Sequence, residues 1–244
     1  LSNMYLNQLV DRQSIETNNI FDPSKSLDVD ILKINIQKFS GFEGHYYLSG
    51  SDPLVETAKQ LINNPTIKLK DTHLYWFINN FKPQTCGELY HLRKENKLHK
   101  LKSTILFHPW IHKLPTNTFR SGLFGPKDES SIQLRLIRIK NLIANIYKYG
   151  YKPSIDDIIY GYILCKEDDY RFLITGGHHR VAVLTAMHLL DNNSFQNLIV
   201  KTLPFHPSKS QIIYEKDALN WPSVRGGYLP VIDAIEMFNR FFHK

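Results

Sequence analysis

The chain has few of the features that mark exported or membrane-spanning proteins. It has two cysteines in 244 residues, Cys86 and Cys165, and their positions match no metal-ligand spacing. No apolar run approaches the roughly 18 residues of a membrane helix. The first residues lack the basic and apolar segments of a secretory signal. We therefore expect a cytoplasmic protein without a membrane span, and a disulfide between the two cysteines is left open.

Repeats and low-complexity tracts are also lacking, and what is present can form a globular core. Hydrophobic residues make up 42% of the chain and aromatic residues 12%. The formal net charge of +7 favours an anionic partner. Basic residues concentrate between Arg93 and Lys102, where two interpretations stay open: a solvated helix face or a nucleic-acid patch. The repeated alternation of basic and aromatic residues that favours single-strand binding is absent.

Three helices are indicated by their ends and by apolar spacing. Asp52 followed by proline predicts a helix that ends near Asn63, and the aromatic segment 72–81 predicts a second helix that packs on it. Ser130 and Gln133 resemble a capping box and begin a third helix, which Gly150 ends. Its apolar residues recur in steps of three and four, at Ile132, Leu136, Ile139, Ile143 and Ile146.

The remaining pattern predicts short strands and two more helices. Residues 1–30 are polar and predict a loosely structured arm, and a final helix begins near Pro230. A helix over 180–190 follows a glycine pair. Strands are predicted over 31–39, 158–164, 170–174 and 198–203. We expect an α+β fold, in which residues 1–104 form a mainly helical N-terminal extension and residues 105–244 form a second domain.

The segment 174–184 concentrates the most chemistry in the chain. It reads as a strand end, two glycines, two histidines, an arginine and the first turn of a helix. Glycines let the backbone turn tightly and approach a ligand, and a helix N-terminus attracts anions. Arg180 adds a planar, permanently charged group that suits phosphate. The segment therefore predicts a phosphate site.

The order helix, Gly150-Tyr151, strand, strand, Gly177-His178-His179-Arg180 and helix resembles the ParB/sulfiredoxin superfamily. The resemblance covers about residues 126–203, a third of the chain. It implies a small mixed sheet with flanking helices, in which the glycine turn holds nucleotide phosphates. Members include CTP-hydrolysing partition clamps, ATP-using sulfiredoxins and kinases of free serine.

The match is best to the serine kinases, which carry Asp-Gly-His-His-Arg at this turn. Their aspartate falls on Gly176, so a group that would bind magnesium or orient the acceptor is missing here. Sulfiredoxins place a nucleophilic cysteine where this chain has His178, which excludes their chemistry. Partition proteins have a glutamate and arginines at the turn, followed by a helix-turn-helix region that has no counterpart after residue 203.

The resemblance implies a phosphotransferase that acts on a hydroxyl of a small-molecule or sugar-like acceptor, with ATP, ADP or CTP and Mg²⁺. It implies catalytic roles for Glu129, His178 and His179, with Asp128 as the alternative to Glu129 as base. Nucleotide binding falls to Arg135 and to the turn residues Thr175, Gly176, Gly177, His178, His179 and Arg180. No metal-binding side chain is assigned. Pro109 disfavours a helix that would bring His108 and His112 together as ligands.

Plainer interpretations stand beside these roles. The two histidines would only cap the helix and fill space, and Asp128 and Glu129 would only favour a helix N-terminus electrostatically. For Arg135 and Arg138 two interpretations stay open: contact with a phosphate or a solvated helix face. A rival function is a nucleotide-gated nucleic-acid binder, as in ParB-like CTPases. A nuclease is a third reading, against which the lack of a carboxylate cluster around the turn counts.

Overall fold

The computed structural model describes residues 31–41, 47, 52–103, 105, 107–115, 127–153, 158–191, 195–202 and 212–242. This part of the chain contains a six-stranded sheet and seven α-helices. The strands are β1 Ile31–Asn35, β2 Phe39–Ser40, β3 Ile159–Lys166, β4 Asp169–Gly176, β5 Asn197–Thr202 and β6 Ile212–Tyr214. The helices are α1 Pro53–Asn63, α2 His73–Asn80, α3 Cys86–Leu89, α4 Glu129–Tyr149, α5 His178–Leu190, α6 Pro222–Arg225 and α7 Val231–Arg240.

The sheet is mixed and has the order β1-β5-β3-β4-β2, with β6 also paired to β3. β3 and β4 form an antiparallel hairpin, whose turn contains Glu167 at a φ of 49°. β5 and β6 pair in parallel with successive parts of β3, and β2 runs parallel to β4. The expected α+β class with a mixed sheet and flanking helices is confirmed.

Alternate residues of the central hairpin enter two hydrophobic cores, one on each face of the sheet. Ile163 and Phe172 belong to the core that contains α1, α2, α4 and α5. Tyr162 and Leu173 belong to the other core, which contains α3 and α7. The hairpin is thus buried on both sides, which explains its nearly continuous apolar sequence.

Residues on both sides of position 104 build the same sheet. β1 pairs with β5, and β2 pairs with β4. α1 packs on α5, so each core also spans position 104. The segment expected as an N-terminal extension therefore supplies part of the framework around the glycine turn.

Most predicted elements are present, with differences at their ends. Asp52 caps α1 by accepting hydrogen bonds from the amides of Leu54 and Val55 at 2.9 and 3.0 Å. The strand predicted over 31–39 is interrupted by a 3₁₀ turn at Ile36–Lys38. The polar arm 1–30 lies outside the described residues.

The predicted capping residue of α4 was wrong. The N-cap is Asp128, whose carboxylate accepts the amide of Ser131 at 2.8 Å, and not Ser130. A carboxylate that accepts charge-assisted bonds at a helix start outcompetes a hydroxyl two residues later. Hydrogen bonds from Ser130 and Ser131 hold the pKa of Asp128 well below its usual range.

The structure shows the burial and contacts of several other side chains that the sequence analysis named. Both cysteines are buried and unpaired, and burial raises the pKa of each thiol to about 12. His108 is buried, with its Nδ1 3.1 Å from the hydroxyl of Tyr162. The described residues contain no group of three side chains that could hold a metal ion.

In the basic run, Arg93 forms ion pairs with Asp233 and Glu236 of α7, so part of this run packs against the rest of the protein.

The close approach of β3 to β4 gives a test of the sheet. A Cβ at Gly161 would lie 2.1 Å from the carbonyl oxygen of Leu173, a backbone atom that cannot move aside. We expect Gly161→Ala to lower the free energy of unfolding by about 3 kcal/mol, as overpacked sites do. Gly227→Ala is the control, because its cost of about 1 kcal/mol comes only from the left-handed φ of 71° in open space. Equal losses in denaturant titrations of the two variants would contradict this packing.

Candidate functional site

The N-terminus of α5 is open to a ligand. Gly177 is its N-cap residue, with a φ of 92° and a ψ of 15°, and no side chain caps the helix. The carbonyl of Gly177 accepts the amides of Arg180 and Val181 at 2.9 and 3.0 Å. The amides that precede Arg180 in the first turn have no acceptor within the helix. They form a partial positive charge that favours an anion.

The backbone conformation explains Gly177, and the ring of Tyr160 lies close to Gly176. A Cβ at Gly176 would lie 2.1 Å from Cζ of Tyr160, because the tyrosine ring lies across this position. A Cβ at Gly177 would lie 3.1 Å from Ile159, and its φ disfavours any other residue. The hydroxyl of Thr175 is 3.3 Å from the carbonyl of Tyr160. The end of β4 is thus held to the start of β3, and α5 begins at a fixed place.

A cleft of about 480 Å³ lies between this turn and α4. From α5 it is lined by the turn residues 177–180. From α4 it is lined by Arg138, Asn141, Leu142 and Asn145, which share one helix face. Among the described residues that line it, two are arginines and none is a carboxylate. Its charge therefore favours an anionic ligand.

His178 reaches the cleft from the first position of α5. Its Nδ1 is 3.0 Å from the hydroxyl of Tyr47, a side chain that is only 1% exposed. Tyr47 belongs to the core that packs against α5. The ring of His178 is therefore held from behind by a buried phenol.

His179 is partly buried, and its low pKa leaves it neutral at pH 7. Burial lowers its pKa to about 4, and the positive charges of Arg135, of Arg138 and of His178 once it is protonated add to this effect. Its Nε2 is buried and makes no hydrogen bond to the described residues. A neutral imidazole here can donate or accept one hydrogen bond without adding to the positive charge of Arg138 and Arg180 in the cleft.

The structure brings together most of the residues that the sequence singled out. Gly177, His178, His179 and Arg180 line the cleft, and Arg135 lies near enough to His179 to lower its pKa. Thr175 and Gly176 support the turn from β4. Asn141 and Asn145 were not assigned to the site, although their spacing of three and seven residues from Arg138 was a usable signal. Nothing in the sequence pointed to Tyr47.

Glu129 is not brought to the cleft. It is exposed in the first turn of α4 and is not among the described residues that line the cleft. It precedes Arg138 by nine residues, which is about 13 Å along a helix axis. A catalytic role for Glu129 therefore stays a prediction. The neighbouring Asp128 is engaged as the N-cap.

A second cleft, of about 790 Å³, lies near the opposite end of β3. Its lining includes Glu167, Asp168 and Glu215, with Lys216 as a basic residue among the described ones. Leu219, Val231 and Ile235 supply apolar surface. This acidic lining does not suit phosphate, so the cleft at the glycine turn is the candidate site.

Comparison with known proteins adds no relative. No protein-family model, curated protein or solved structure matches the chain. The likeness to the ParB/sulfiredoxin superfamily rests on the motif residues and stays an expectation. None of the helices in the described ranges is both long and apolar enough to cross a bilayer.

The surroundings of His179 predict an unusual titration. NMR of the histidine ring should give a pKa of about 4, and Arg135→Gln should raise it by removing a nearby positive charge. Between pH 6.5 and 4 this histidine is protonated in the unfolded chain but neutral in the folded protein. The free energy of unfolding is therefore highest above pH 6.5, and it falls as the pH is lowered from 6.5 to 4. A pKa near 6.5 in both proteins would contradict the burial described here.

Proposed function

We propose that the protein is a nucleotide-dependent phosphotransferase that transfers a phosphoryl group to a hydroxyl of a small-molecule or sugar-like acceptor. The observation that carries this proposal is the open N-terminus of α5, flanked by Arg138 and Arg180 in one cleft. The volume of about 480 Å³ falls within the usual range for small-ligand sites. The resemblance to nucleotide-binding proteins supports a nucleotide as the anion.

Phosphoryl transfer requires positioning and charge neutralisation more than covalent chemistry. The amides of the first turn of α5 would hold the terminal phosphates. Arg138 and Arg180 would neutralise the charge that the phosphates bring, from opposite sides of the cleft. His178 would donate a hydrogen bond at the mouth, and the neutral His179 would keep the interior from becoming more positive.

The α4 face of the cleft suits the remainder of a nucleotide. The amide groups of Asn141 and Asn145 both donate and accept hydrogen bonds, as recognition of ribose hydroxyls or base edges requires. Leu142 lies between them and offers apolar contact for a base. These three side chains form an uncharged wall of the cleft, and Arg138 and Arg180 lie beside it.

Magnesium fits this arrangement only as a companion of the phosphates. The described residues lining the cleft offer amide oxygens but no carboxylate. Mg²⁺ commonly keeps several waters and binds through phosphate oxygens. We expect it to enter with the nucleotide, where it would neutralise further phosphate charge.

Arginine substitutions test the phosphate site. Arg138→Gln and Arg180→Gln should each weaken ATP, ADP or CTP binding by at least about tenfold, because each removes a charge-assisted contact. Isothermal titration calorimetry in the presence of Mg²⁺ measures the change. Arg138 is exposed, so its substitution leaves the core intact.

Lys148→Gln is the matched control for these variants. It removes one positive charge from α4, the helix that also carries Arg138, but Lys148 is exposed and is not among the residues described as lining the cleft. The proposal requires this variant to bind nucleotide as the wild type does. If all three variants bind alike, or if no nucleotide binds the wild type, the proposed function is wrong.

One observation favours a nucleic-acid binder as a second candidate. Tyr147 and Tyr149 are 67% and 56% exposed at the end of α4, next to the exposed Lys148 and Lys152. Exposed rings beside cations can stack on unpaired bases. This candidate would give single-strand binding that falls steeply with salt and weakens in Tyr147→Ala, with no phosphorylated small product.

A further inference from the structure

We propose that Tyr47 is a positioning residue for the phosphate site, whose hydroxyl donates to Nδ1 of His178 and holds the ring with its proton on Nε2. The inference rests on the proposed function in so far as it concerns nucleotide affinity. Its structural half concerns only this chain. The two residues lie 131 positions apart in sequence, and the phenol comes from the segment between β2 and α1.

The geometry gives the phenol control over the orientation of the ring. The distance of 3.0 Å between the tyrosine oxygen and Nδ1 is that of a hydrogen bond. Tyr47 is 1% exposed and packs within the core beneath α5, so its ring has a fixed position. A hydrogen bond from a fixed partner restricts the rotation of the histidine ring about its side-chain bonds.

The direction of this hydrogen bond determines what His178 presents to a ligand. A neutral imidazole has one N–H and one lone pair, and the bond at one nitrogen sets the state of the other. When the phenol donates to Nδ1, the proton of the ring lies on Nε2. An N–H edge attracts a phosphate oxygen, whereas a lone pair repels it.

An uncharged N–H donor at this place adds a contact for phosphate without adding positive charge. His178 stands next to His179 and shares the cleft with Arg138 and Arg180. A protonated His178 would add a charge where two arginines already act. By accepting this hydrogen bond at Nδ1, His178 would offer its Nε2–H as a donor beside Arg138 and Arg180, without adding a positive charge to theirs.

The direct test is the protonation state of the two ring nitrogens. Long-range ¹⁵N–¹H NMR of the wild-type protein at pH 7.5 should show an unprotonated Nδ1 and a protonated Nε2 for His178. A protonated Nδ1 would overturn the proposal. This measurement needs neither a ligand nor a variant.

A variant pair then tests the effect on binding. Tyr47→Phe removes only the hydroxyl and should weaken nucleotide binding about fivefold, the value of one ordinary hydrogen bond. Tyr90→Phe is the matched control, because it removes a buried hydroxyl 3.4 Å from Nε2 of His108, in the other core. Equal affinities of the two variants for ATP, ADP and CTP would overturn the proposal.

A double-mutant cycle separates positioning from a general loss of structure. In a His178→Ala background, Tyr47→Phe should have no further effect on affinity, because its target ring is gone. Persistence of the fivefold loss would overturn the positioning role. If the wild type binds no nucleotide, the proposed function fails, and the nitrogen assignment still decides the role of Tyr47.

Discussion

The left-handed backbone at Gly177 is the constraint on which the candidate site depends. It ends β4 and starts α5 within one residue, and it leaves the helix start without a side-chain cap. Ile159 lies directly beneath it, and the ring of Tyr160 covers the preceding glycine. The N-terminus of α5 therefore points beside α4, where Arg138 and the two asparagines lie.

The two clefts show how charge is distributed on this basic protein. The net charge of +7 does not fall evenly, because the larger cleft has acidic residues and the smaller one has two arginines. Part of the basic run at 93–102 is bound by acidic residues of α7. The cations of the smaller cleft, by contrast, flank an open helix N-terminus. It is this local arrangement, and not the total charge, that supports an anionic ligand.

The sequence was most informative where chemistry and local structure coincide. Two glycines between a strand pattern and a helix pattern predicted both the turn and its affinity for anions. The isoleucine and leucine spacing of α4 predicted its buried face, and the remaining positions were then expected to form its polar face. The cap of α4 was misassigned to Ser130 because two acceptors, Asp128 and Ser130, stand close together in sequence. Local preference does not rank them without the backbone geometry.

Contacts between distant segments could not be predicted in this way. Which polar residues of α4 face α5 depends on how the two helices pack, so Asn141 and Asn145 were not assigned while Glu129 was. Tyr47 lies among polar and aromatic neighbours with no periodic pattern, and only the folded sheet brings it to His178. β1 and β2 likewise join a sheet whose other strands begin more than a hundred residues later.

The central claim is that the open start of α5 binds the phosphates of a nucleotide. Its most direct test is the change in backbone amide chemical shifts when ADP and Mg²⁺ are added to ¹⁵N-labelled protein. The largest changes should fall on the amides of Gly177, His178 and His179. Shifts concentrated instead around Glu167 and Glu215, or no shifts at saturating nucleotide, would contradict it.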